Sequence, residues 1–93
     1  VNIKYSWKFS RQMGYIVGFI AQDSKNRAYA FKEQIFKQIS TIAFMPYRFR
    51  KSPFLDNENI REMIFKGYVI RFLIANDTIE ILAIYSKNRD KDE

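Results

Sequence analysis

A chain of 93 residues with a formal net charge of +6 and a pI near 9.7 makes one domain around one modest core. Its 47% hydrophobic and 17% aromatic content suits a packed globule and argues against disorder. With no cysteine and no histidine, it has no disulfide framework, thiolate nucleophile, imidazole acid–base catalyst or ordinary zinc site. No apolar run approaches the roughly 18 residues that span a bilayer, and no signal peptide is seen at the N-terminus, so a cytoplasmic location and no membrane association are expected.

The charge is unevenly placed. Residues 1–51 hold ten Lys and Arg against two acids, whereas residues 52–93 hold six against eight. A basic half favours an acidic partner, whether nucleic acid, ribosome or an acidic protein segment. The plainer reading is that Lys and Arg keep a small apolar domain soluble.

In chain order, Val1–Tyr5 alternates apolar and polar residues, a short strand signal. Ser6 is placed to cap a helix from Trp7, in which Phe9, Met13, Ile16, Val17 and Ile20 mark one face. Gly14 and Gly18 lie four apart within it and would admit the close approach of another backbone. Asp23-Ser24 breaks this helix and can cap the next. Ala28, Phe31, Ile35, Ile39 and Ile42 then form a second amphipathic stripe, widened by Phe36 and Ala43, which ends before Pro46. The short break makes the two helices an antiparallel hairpin.

Residues 47–58 have no clear period and interleave Arg48, Arg50 and Lys51 with Tyr47 and Phe49. Three β-rich runs follow, Ile60–Phe65, Tyr68–Ile74 and Thr78–Tyr85, separated by Lys66-Gly67 and by Ala75-Asn76-Asp77. They read as an antiparallel meander whose nearly continuous apolar last strand lies inside the sheet. The predicted fold class is α+β: a single domain over residues 1–93, with a strand, a helical hairpin and a three-stranded meander (β-α-α-β-β-β), the helices covering one sheet face.

No Gly-rich phosphate loop exists, and the acids are scattered, so neither metal nor cofactor is expected. What remains is Arg, Lys and Tyr chemistry: holding phosphates or acidic surfaces, or stabilising a phosphorane-like transition state. The candidates are Arg48, Arg50, Lys51, Arg61, Lys66, Arg71, Tyr85, Lys87 and Arg89. Period-two reasoning puts Arg61 and Met63 on one face and Glu62 and Ile64 on the other. Arg71, inside an apolar run, needs a cross-strand partner such as Glu62 or Glu80 if it faces inward.

The layout resembles the RelE/ParE superfamily of type II toxins. The resemblance rests on Tyr5-Ser6, Phe19-Ile20-Ala21, Ala28, Phe31, Ile35, Met45-Pro46, Arg61, Tyr68-Val69-Ile70 with Phe72, Thr78-Ile79-Glu80-Ile81 and Arg89-Asp90. It implies one of two activities. RelE-like members are ribosome-dependent mRNA endonucleases; ParE-like members poison DNA gyrase. Arg61 aligns with an arginine of ParE-type chains, Ile64 falls where RelE-type chains carry a catalytic arginine, and the C-terminal histidine of several nucleases is missing.

The ParE-like expectation has no catalytic residue, with Arg48, Arg50, Lys51, Arg61, Lys87 and Arg89 contacting the target. The nuclease alternative would use Arg61, Lys66, Tyr85, Lys87 and Arg89. Both imply an antitoxin that docks beside the hairpin and the sheet. A third reading is a basic binding domain unrelated to toxins.

Overall fold

The computed structural model of the chain describes residues 1–87. Strand β1 (Asn2–Tyr5) ends where Ser6 starts helix α1 (Trp7–Asp23). The Ser6 Oγ accepts from the Phe9 amide at 3.0 Å and donates to the Leu82 carbonyl at 2.9 Å, so one hydroxyl caps the helix and ties it to the sheet. A helix cap of this kind contributes about 1 kcal/mol. Ser24 is the whole break between α1 and helix α2 (Lys25–Ser40). Its amide donates to the Ile20 carbonyl at 2.9 Å, and its Oγ accepts from the Arg27 amide at 3.1 Å, closing one helix and opening the next. An ion pair between Asp23 and Arg27 brackets this joint.

The second helix ends earlier than its apolar stripe suggests. The hydroxyls of Ser40 and Thr41 donate to the Lys37 and Gln38 carbonyls, each at 2.6 Å, and the chain tightens into a 3-10 turn over Thr41–Ala43. Such back-bonding competes with the helical ladder. Ile42 is fully buried all the same. Met45 then adopts a left-handed conformation (φ 51°, ψ 63°) ahead of a second 3-10 turn, Pro46–Arg48. A non-glycine residue there is strained by roughly 1–2 kcal/mol.

Four further strands follow: β2 (Arg50–Lys51), β3 (Ile60–Phe65), β4 (Tyr68–Ala75) and β5 (Thr78–Ser86). The five form one sheet in the order β1-β5-β4-β3-β2. The meander is antiparallel as predicted, and β1 adds to β5 in parallel, with Ile3 opposite Ile79. β5 is therefore interior, one strand in from the β1 edge, while β4 is the geometric centre. Sequence reading missed β2, which pairs with β3 through only two residues.

The hairpin turn Lys66-Gly67 has positive φ at both positions (51° and 83°), as a type I′ turn demands. In the next turn Asn76 takes the left-handed conformation, which asparagine tolerates. Leu82 is the extra residue of a β-bulge, since Phe72 pairs with Ile81 and Arg71 with Ala83. Bulges sharpen twist and re-aim side chains.

Both helices pack on one face of the sheet. Phe9 and Met13 of α1 and Ile35 and Ile39 of α2 meet Met63, Ile70, Phe72, Ile79, Ile81 and Ile84. Tyr5, Phe9 and Phe36 form an aromatic knot, with ring centroids 5.4 to 6.3 Å apart. Burial pushes the Tyr5 hydroxyl above the usual phenol range. Among the described residues nothing packs against Gly14 or Gly18 on α1. Among the described residues no helix is long and apolar enough to cross a membrane.

Candidate functional site

The alternation of β3 sends Met63 into the helix-covered core and Glu62 to the opposite, outer face. There Glu62 lies opposite Arg50 of β2 and Arg71 of β4. Its carboxylate is fully buried and fully occupied. Oε1 accepts from Arg50 at 2.7 Å; Oε2 accepts from Ser52 at 3.0 Å and from Arg71 at 2.9 and 3.1 Å. Arg71 also donates to the Tyr85 hydroxyl at 2.7 Å and lies 5.3 Å from the Tyr85 ring centroid. A single polar row thus crosses four strands. Of the two partners the sequence offered Arg71, geometry selects Glu62; Glu80 sits opposite Leu73.

Arg61 points to the other face and holds the basic connection in place. It donates to the Glu58 carbonyl at 2.8 Å and to the Phe49 carbonyl at 3.2 Å, and its guanidinium lies 5.0 Å from the Tyr47 ring centroid. Arg48 clamps the strained turn at Met45. It donates to the Phe44 carbonyl and, at 3.3 Å, to the Thr41 carbonyl, while stacking 4.1 Å over Phe49. Lys51 lies 3.6 Å from both Asp56 and Glu58.

Lys66 donates to Gln34 of α2 at 2.6 Å, and the Lys87 amide donates to the Gly67 carbonyl at 2.8 Å, which puts both lysines at the far end of the sheet. Lys66 lies five residue steps along the strand direction from Arg61, about 17 Å. The candidates accordingly fall into three groups: Arg48, Arg50, Lys51 and Arg61 around the connection, Arg71 and Tyr85 in mid-sheet, and Lys66 and Lys87 at the far turn. Arg89 lies outside the described residues. Among the described residues no cluster of three metal-ligating side chains forms.

A groove runs between α1 and the end of β5, with Lys8, Gln12, Tyr15 and Phe19 on one wall and Arg71 and Tyr85 on the other. β1 pairs with β5 only as far as Ile81, so among the described residues the edge beyond it has no strand partner. Gln12 stands in: its side-chain oxygen accepts from the Ile84 amide at 2.9 Å. Trp7, Tyr15 and Phe19 are 77%, 80% and 75% exposed, a large apolar display for a small chain. Sequence reading missed this wall. Its signal was a second stripe, Lys8, Gln12, Tyr15 and Phe19, with helical spacing beside the core stripe.

The chain resembles a solved structure from a chromosomal ParDE toxin–antitoxin system of P. aeruginosa, with a TM-score of 0.75 at 15% identity. The likeness covers 92% of this chain and 95% of that one, and it is one of fold. No curated protein matches the sequence. The family model for the ParE toxin of type II toxin–antitoxin systems (parDE) matches residues 3–91, nearly the entire sequence. With this strand, helical hairpin and meander, the chain belongs to the ParE toxin family of type II toxin–antitoxin modules.

Proposed function

We propose that this toxin acts in the cytoplasm by binding and poisoning DNA gyrase rather than by cutting RNA, and that a cognate antitoxin silences it. The observation that supports a non-nuclease mode is the scatter of the would-be catalytic set. Arg61 faces the helical side, Tyr85 the outer side, and Lys66 is turned onto Gln34 about 17 Å along the strand from Arg61. General acid–base cleavage needs its groups around one phosphate. The deciding experiment sets gyrase supercoiling and cleavage-complex formation beside mRNA cleavage on translating ribosomes. Gyrase inhibition alone is the expected result. Ribosome-dependent cleavage would overturn the proposal in favour of the RelE-like alternative.

The antitoxin's place is the groove along α1. An extended or helical segment there would cover Tyr15 and Phe19 and could take over the Ile84 amide from Gln12. Lys8 and Arg71 on the walls favour acidic residues in that segment. Phe19→Asp, at a 75% exposed position, is expected to leave folding intact. It should weaken capture of the antitoxin encoded beside the toxin by tenfold or more, in titration calorimetry, as loss of an aromatic anchor does. Unchanged affinity would move the antitoxin to another face.

A further inference from the structure

We infer that the polar row on the outer sheet face is a seat for the phosphodiester backbone of a nucleic acid, gripped by Arg50 and Arg71. One guanidinium would neutralise the Glu62 carboxylate, yet two are bound to it, so the row carries an excess positive charge. Both keep donors to offer. Arg50 commits one nitrogen, and its side chain is 47% exposed. Arg71 binds through Nε and Nη2, while its Nη1 makes no hydrogen bond among the described residues, and the side chain lines the groove beside α1. The guanidiniums are preorganised: each is locked by the carboxylate, so little side-chain freedom is lost when a ligand arrives.

The arrangement suits a polyanion better than a small one. The cations do not close around a point. Arg50 stands on the edge strand, Arg71 two strands away, and Lys8 across the groove. An exposed aromatic ring, Tyr15, flanks this track and offers a face to bases. The proton-transfer groups of a nuclease are scattered, so the seat binds without cutting. The inference does not depend on gyrase being the target, because binding to naked nucleic acid tests it directly.

The test is fluorescence anisotropy of the 93-residue chain with labelled single-stranded DNA, duplex DNA and RNA oligonucleotides over a salt series. Inorganic phosphate is the small-anion competitor. Arg50→Gln is compared with Lys32→Gln, an exposed cation on α2 across the sheet, which changes net charge equally. Arg50→Gln should lower affinity roughly tenfold and reduce the slope of log K against log salt by about one, while Lys32→Gln changes both less. Near-UV circular dichroism checks that both variants are folded. The preferred oligonucleotide identifies which backbone, DNA or RNA, the seat takes. Equal effects of the two substitutions would reduce the seat to diffuse charge and overturn the inference. So would binding of inorganic phosphate with no oligonucleotide binding.

Discussion

Glu62→Ala is expected to destabilise the fold by about 3–5 kcal/mol, the cost of breaking a buried ion pair from one side. Among the described residues the carboxylate is the only anion of the polar row, and both of its oxygens are occupied. Without it, Arg71 is left 17% exposed with its charge uncompensated, and the buried Ser52 hydroxyl loses its acceptor. β2 suffers most. It is two residues long, and its Arg50 joins the sheet through Glu62 as well as through the ladder. A domain of this size has roughly 5–14 kcal/mol of stability in all, so the loss is a large share of it.

The measurement is urea unfolding followed by tyrosine and tryptophan fluorescence. The double variant Glu62→Leu/Arg71→Met separates an unpaired charge from a lost shape. It replaces the buried pair with apolar side chains of similar length and should recover much of the loss. If Glu62→Ala costs less than about 1 kcal/mol, the row behaves like a surface salt bridge, and its burial contributes little.

How far this arrangement could be read in the sequence depends on range. Elements set by local periodicity were legible. The 3.6-residue stripes placed both helices, and the alternation in the meander put Glu62 on the face away from Met63. Features set by a distant partner were not. β2 has no periodic signature in two residues and exists because β3 offers it a ladder. Ser52 carries no sign of burial; its partner is ten residues away on another strand.

The bulge at Leu82 was hidden because Ile81, Leu82, Ala83 and Ile84 are all apolar, and an apolar run gives no register. The candidate cations were recognised by type, but type does not reveal direction. Arg48 and Arg61 turn inward onto backbone carbonyls of their own loop, whereas Arg50 and Arg71 converge on one carboxylate. That difference separates a cation that holds the fold from one that can also hold a ligand.

Phe9→Ala should rival the loss at Glu62, at about 3–5 kcal/mol, through a different mechanism. Phe9 is 1% exposed and sits one turn into α1, where β1, both helices and β5 meet. Its ring stacks on Tyr5 and meets Phe36 edge-on. Removing it takes away buried apolar surface and leaves a cavity between two helices that Ser6 and Ser24 hold at fixed ends. Those caps limit how far α1 can settle into the gap, and the cost of a cavity rises when its walls cannot collapse.

Phe9→Leu preserves most of the volume and should cost less than about 1.5 kcal/mol. In urea, both variants should shift the midpoint without changing the slope, since the surface exposed on unfolding is nearly the same. A small loss for Phe9→Ala would mean that α1 slides to fill the space. Gln12 would then be drawn away from the Ile84 amide, and the groove would change shape with it. Stability and antitoxin affinity would then fall together across this series. If the walls hold, affinity should stay constant while stability drops.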